Sequence, residues 1–185
     1  MGSPKALLDL DGETFLDRLI RIFQPHCARV IVVLGYHADV IRAGTRRASE
    51  VEFVLNPEPE RGQLSSLKCG LAAVPENGSA VMFTPVDYPR VQPSTVDALA
   101  GALEQSGEET AIIVPRHLGK NGHPVCVRHG LLPTFLDLPD DAIARDTIHQ
   151  NIHRTMYLDV DDAGILRDID DPESYRELLA LSKAS

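Results

Sequence analysis

The chain has 185 residues, 43% hydrophobic and 24% charged, a length and balance that favour one domain with a core needing no disulfide or metal staple. Its 18 Lys and Arg against 27 Asp and Glu leave a net charge of −9, which argues against sequence-independent binding to nucleic acid or to an anionic membrane surface. The three cysteines, Cys27, Cys69 and Cys126, share no short spacing, so they indicate neither a disulfide framework nor a zinc site and fit a reducing cytoplasm.

Taken in order, the chain alternates two kinds of segment. Met1-Gly2-Ser3-Pro4-Lys5 reads as a loop presenting a cation, followed at once by the apolar Ala6-Leu7-Leu8. There is no basic-then-apolar leader, and no apolar run approaches membrane-spanning length. Phe15, Leu16, Leu19, Ile20 and Phe23 share one helical face. Residues 29–35, RVIVVLG, are a β-branched run ended by glycine and predict a strand buried on both faces. Val51 to Val54 predict a short strand ending at Asn56-Pro57, and Leu67, Gly70, Leu71 and Val74 keep helical spacing. Residues 79–87, SAVMFTPVD, predict a second buried strand, and Pro93 starts a helix packing through Val96, Leu99 and Leu103. Residues 110–115 and 123–128 predict two further strands. Asp171-Pro172-Glu173 starts a last helix, with Tyr175, Leu178 and Leu179 as its packing stripe. This alternation predicts an α/β fold, a three-layer sandwich with a mostly parallel central sheet covered on both faces.

In such sheets ligands bind beyond the carboxyl ends of the strands, which ranks the polar residues. Asp87 ends a buried apolar strand between Pro85 and Pro89, well placed to hold a hard divalent cation such as magnesium. An isolated loop aspartate more often caps a turn; its position at the strand end is what lifts Asp87 above that. Asp168 and Asp170, two apart on an extended stretch, project to the same side, and either is a candidate partner for Asp87 around a cation. Asp171 is assigned to the helix N-cap. Gly62, Ser65 and Ser66 precede or open a helix, where free backbone N–H groups suit an anion or a base edge; the same letters also make a plain cap. His123 in Gly122-His123-Pro124 is a structural hydrogen bonder more often than a catalyst. His149 and His153 are four apart but lack a third ligand, so a metal site there is discounted.

Together these residues resemble the MobA-like nucleotidyltransferase family, and within it most closely the molybdenum cofactor cytidylyltransferases. That family opens with a strand and a loop of the type Leu-Ala-Ala-Gly-x-Ser-x-Arg-Met-Gly-x-x-Lys. Met1-Gly2-Ser3-Pro4-Lys5 matches its last five positions. Asn56-Pro57, Gly62 with Ser65-Ser66-Leu67, Asp87 in Val-Asp-Tyr-Pro, Gly122-His123-Pro124 and Asp168 to Glu173 follow in family order, nearly end to end.

The resemblance implies the nucleotide-diphospho-sugar transferase fold and the transfer of a nucleoside monophosphate from an NTP to a phosphorylated small-molecule acceptor. CTP is favoured over GTP because residues 62–67 resemble the cytidylyltransferase loop. It also implies nucleotide binding by Gly2, Lys5, Asn56, Gly62, Ser65 and Ser66, and magnesium held by Asp87 with Asp168 or Asp170. Lys5 would neutralise phosphate charge, and His123 would lie on the acceptor side. Two alternatives stay open: a sugar- or alditol-phosphate nucleotidyltransferase, or a non-catalytic nucleotide-binding module. The first strand and first half of the phosphate loop have no counterpart, which predicts a frayed terminus, a Lys5 too mobile to act, unpaired edges on two neighbouring strands and self-association.

Overall fold

The computed structural model describes residues 3–182. Strands β1 (Asp9–Leu10) and β2 (Glu13–Thr14) form a hairpin whose turn residues Asp11 and Gly12 have φ of 59° and 83°. An Asp-Gly pair suits a turn needing both residues in the left-handed region. The Thr14 hydroxyl then accepts the Asp17 N–H and starts helix α1 (Phe15–Phe23), as hydroxyl caps do. Strand β3 (Ile31–Leu34), helix α2 (Ala38–Gly44) and strand β4 (Glu52–Leu55) follow, with β3 and β4 parallel. Helix α3 (Gln63–Ala72), strand β5 (Ala80–Phe83), helix α4 (Pro93–Gln105) and strand β6 (Ile112–His117) continue the alternation. Then come β7 (Lys120–Asn121), β8 (Val125–Arg128), α5 (Leu132–Leu136), α6 (Ala144–Gln150), β9 (Thr155–Asp159) and α7 (Pro172–Ser182).

The larger sheet is built on β6. It lies between β8 and β9, with β5 beyond β8 and the short β7 paired to its far end. The α/β class holds, and the sheet is mixed: β9 runs parallel to β6, while β8 runs antiparallel to both β5 and β6. The cause is local. Leu118 and Gly119, with φ of 47° and 80°, turn the chain straight back on β6, so no crossover helix intervenes before β8.

Side-chain alternation gives each face its own core. Ile112, Val114, Val125 and Val127 pack with Leu71, Leu132 and Phe135 of α3 and α5. Ile113 and Cys126 pack with Leu99 of α4 on the opposite face, where Met82 and Met156 join them. Burying each such Ile, Leu or Phe stabilises the fold by about 1.5–3 kcal/mol.

The strand predicted over residues 29–35 differs in burial. Ile31, Val32 and Val33 are only half-buried, and β5 is half-buried throughout. Their faces are covered, since Val30 and Val32 pack on Leu16 and Ile20 of α1 while Val33 abuts Gly70 of α3. What they lack is a neighbour: among the described residues β3 pairs only with β4, and β5 only with β8. The Glu52 and Asn56 amides bond to the Val30 and Leu34 carbonyls, so alternation turns the Ile31 and Val33 backbone toward the unpaired edge. Hydrogen exchange is therefore expected to be slowest in β6 and much faster at Ile31 and Val33. Equal protection of β3 and β6 would contradict this topology.

Candidate active site

Asp87 lies four residues beyond the end of β5, on a loop rather than on the strand itself. Val86 fixes it, packing at once against the clusters around Leu19 and Val91, around Phe15 and Ile169, and around Leu16 and Ile20. The Ile169 N–H donates to the Asp87 carbonyl at 2.9 Å, and the Ile169 side chain is buried. This lays residues 168–170 alongside Asp87 and turns the carboxylates on either side of Ile169 away from the core.

Lys5 completes the cluster. Its ammonium is 2.5 Å from Asp170 Oδ1 and 3.4 Å from Asp87 Oδ2. The expectation of a frayed, mobile Lys5 is corrected here. Residues 5–7 form a short 3-10 turn, the Leu7 N–H bonds to the Pro4 carbonyl, and Ala6 is buried against Leu16 and Ile20. Gly2 and Met1, assigned from sequence to the same loop, lie outside the described residues.

Burial pushes the Asp87 carboxyl up from its usual range, with Lys5 opposing the shift. The hydrogen bond from Lys5 holds the nearly exposed Asp170 below its usual range. For Lys5, burial works against the charge, but the Asp170 hydrogen bond and both carboxylate charges outweigh it and raise its pKa. Asp168 sits beside Asp170 and lines the opening toward Ser174 and Glu177. Among the described residues no three His, Cys, Asp or Glu side chains converge as a cage. Yet Asp87 Oδ1 is buried without a hydrogen-bond partner, and a buried acceptor left unmade is costly. A hard cation shared between Asp87, Asp170 and ligand oxygens would satisfy it, with Asp168 adjacent.

A second group lies beyond β4. Asn56 is buried, and its amide N–H₂ donates to the Ser65 and Ser66 hydroxyls at 2.9 and 3.0 Å while its carbonyl accepts the Glu58 N–H. Its polar atoms are thus taken up in shaping the turn, and Ser65 and Ser66 are what it positions. Gly62, with φ of 88°, leads into α3, whose first N–H groups carry no side-chain cap.

His123 lies against Tyr88, the residue after Asp87. Its ring centroid is 4.8 Å from that of Tyr88, and its Nδ1 is buried without a partner. Its backbone N–H donates to the Ile165 carbonyl, and a Cβ at Gly122 would come within 2.3 Å of the same oxygen, so only glycine fits there. The buried Asp162 sets this contact, since its carboxylate accepts from Gln92 N, Thr95 Oγ1 and Gly164 N. Sequence reasoning missed Asp162; its one local signal is the aspartate two residues before a glycine, a common turn pattern.

Comparison with known proteins agrees with this geometry. A family model described as the MobA-like NTP transferase domain matches residues 1–155. The chain belongs to the MobA-like NTP transferase family. As a member it is a nucleotidyltransferase. It is 27% identical over 177 residues to the molybdenum cofactor cytidylyltransferase of Escherichia coli, covering 95% of this chain and 86% of that protein. A molybdenum cofactor guanylyltransferase of Sinorhizobium fredii is 32% identical over 112 residues, covering 60% and 50%. The crystal structure of Rv0371c from Mycobacterium tuberculosis is similar with a TM-score of 0.84 at 28% identity, over 97% of this chain and 90% of that one. A structure of the same protein in complex with manganese gives a TM-score of 0.79, over 97% and 93%.

For a MobA-like transferase, His123 gives a pH test. Burial lowers its pKa, so the folded protein keeps it neutral below the value of about 6.5 at which the unfolded chain takes up the proton. The unfolded state then binds more protons, and stability falls as pH drops from about 6.5 toward the lowered folded value. Urea unfolding at pH 7.5 and 5.5 is expected to show a larger loss for the wild type than for His123→Gln. Equal losses would contradict it.

Proposed function

We propose that the chain transfers a cytidylyl group from CTP to the terminal phosphate of a molybdopterin or molybdenum-cofactor acceptor, with magnesium as the cation and pyrophosphate as the second product. The observation that carries this reading is the buried, unpartnered Oδ1 of Asp87, whose other oxygen meets the ammonium that Lys5 also gives to Asp170.

Asp87 and Asp170 would hold the magnesium, with Asp168 next to them; when bound, the ion neutralises negative charge on phosphate oxygens. Lys5 is one side-chain swing from its carboxylates and supplies a positive charge to the phosphates under attack. Gly62 and the first turn of α3, with the Ser65 and Ser66 hydroxyls held by Asn56, receive the base. His123 and Tyr88 stand on the acceptor side. An acceptor phosphate oxygen forms a bond to the α-phosphorus as the bond to pyrophosphate breaks. That phosphate is already anionic at neutral pH, so positioning and charge neutralisation suffice and no nucleophilic side chain is needed.

Two observations support CTP: residues 62–67 follow the cytidylyltransferase loop pattern, and similarity extends over 95% of this chain with a cytidylyltransferase but 60% with a guanylyltransferase. Turnover with the molybdenum cofactor is expected to prefer CTP over GTP by at least about tenfold, measured as pyrophosphate release. Asp87→Asn is expected to remove at least about 99% of that release while leaving the unfolding midpoint within a few degrees, since catalytic electrostatics of this kind are worth several kcal/mol. A preference for GTP sinks the base assignment, and near-normal turnover by Asp87→Asn sinks the metal assignment.

A further inference from the structure

We propose that Asp162 is the positioning residue of the carboxylate site. Its own hydrogen bonds go elsewhere; it fixes the segment that carries Asp168 and Asp170 against the loop that carries Asp87. This deepens the transferase reading above and rests on it for the cation that the carboxylates hold.

The loop is the fixed partner. Within residues 87–92, Val91 is fully buried in the cluster of Leu19, Phe23 and Val96, and the Pro89 carbonyl accepts the Arg18 Nε–H of α1 at 2.7 Å. The facing segment, residues 162–170, is held more sparsely. Ile165 and Ile169 are buried, and the chain between them passes through exposed Arg167 and Asp168.

Two cross-links join the segments. At one end the Ile169 N–H donates to the Asp87 carbonyl at 2.9 Å. At the other, Asp162 Oδ2 accepts the Gln92 N–H at 2.9 Å and the Thr95 hydroxyl at 2.7 Å. A single hydrogen bond is a pivot, whereas one at each end sets an orientation. Between them a Cβ at Gly164 would come within 2.2 Å of the Arg90 carbonyl oxygen, so the two backbones touch there. Asp170, one residue beyond Ile169, therefore takes its place beside Asp87 from both anchors.

The chemistry at Asp162 suits an anchor. It is 2% exposed, and its Oδ1 accepts the Gly164 N–H at 2.8 Å, so a buried carboxylate meets three donors. Gln92, which leads into α4, supplies no side-chain cap of its own. Asp162 fills that place from a distant segment, with a negative charge where the helix dipole favours one. Asparagine would turn an N–H₂ toward these donors, and alanine would leave them unmade. The same anchor seats Ile165, whose carbonyl accepts the His123 N–H at 3.0 Å, so His123 takes its position from it as well.

The test compares wild type with Asp162→Asn in two readouts. In metal-free protein, hydrogen exchange at the Ile169 amide is expected to speed up at least about tenfold in the variant while the β6 amides are unchanged, which separates loosening of this segment from general destabilisation. Manganese binding, followed by electron paramagnetic resonance, is expected to weaken at least about fivefold in Asp162→Asn. In an Asp170→Ala background the same substitution is expected to cost less than about twofold, because its effect acts through that carboxylate. Thr95→Val, which removes one donor to Asp162, is expected to show both effects at smaller size and takes the place of Asp162→Asn if that variant does not fold. Unchanged Ile169 exchange, an acceleration shared by β6, or an equal loss of manganese affinity with and without Asp170 would each overturn the proposal. Failure of the wild type to bind manganese would count against the metal reading alone, and the exchange of Ile169 would then decide whether Asp162 holds the segment.

Discussion

One backbone hydrogen bond, from Ile169 to the carbonyl of Asp87, brings the two halves of the site together. It joins segments 82 residues apart, and both are seated by burial, Ile169 in the core and Val86 at the junction of three clusters. With that bond in place, Asp87 and Asp170 have to share a space, and like charges this close need a cation between them. In this structure the cation is the Lys5 ammonium. Everything chemical about the site follows from that arrangement: a half-buried carboxylate pushed up by burial, an exposed one held down, and a lysine whose charge both stabilise.

The same logic gives Lys5 two roles. Under the proposed function, a divalent ion held by Asp87 and Asp170 would compete with the ammonium for these carboxylates, and a released Lys5 would then be free for phosphate. The pairing keeps two carboxylates compatible in the structure as it stands, and it would set a modest barrier to metal binding without phosphates present.

Much of this was legible in the sequence because its causes are local. Periodicity identified α1, α3, α4 and α7, and the Asp171 cap is present, its carboxylate accepting the Glu173 and Ser174 N–H groups. Alternation placed Asp168 and Asp170 on one side, and the structure selects Asp170 as the one that meets Lys5 and Asp87. The unread parts depend on distant partners. The direction of β8 hangs on a two-residue turn at Leu118 and Gly119, and β9 acquires its place only by pairing with β6. Asp162 looks like one more surface acid until Gln92 and Thr95 close on it at the start of α4. The half-burial of β3 and β5 was likewise invisible, since an apolar run cannot report whether a neighbour pairs with it.

The central claim is that Lys5 occupies the place that, under the proposed function, a divalent cation would take between Asp87 and Asp170. Manganese binding without nucleotide, followed by electron paramagnetic resonance in wild type and Lys5→Ala, tests it most directly. The account predicts tighter manganese binding by Lys5→Ala, by several-fold, because the competing ammonium is gone. Unchanged or weaker binding in that variant would contradict it.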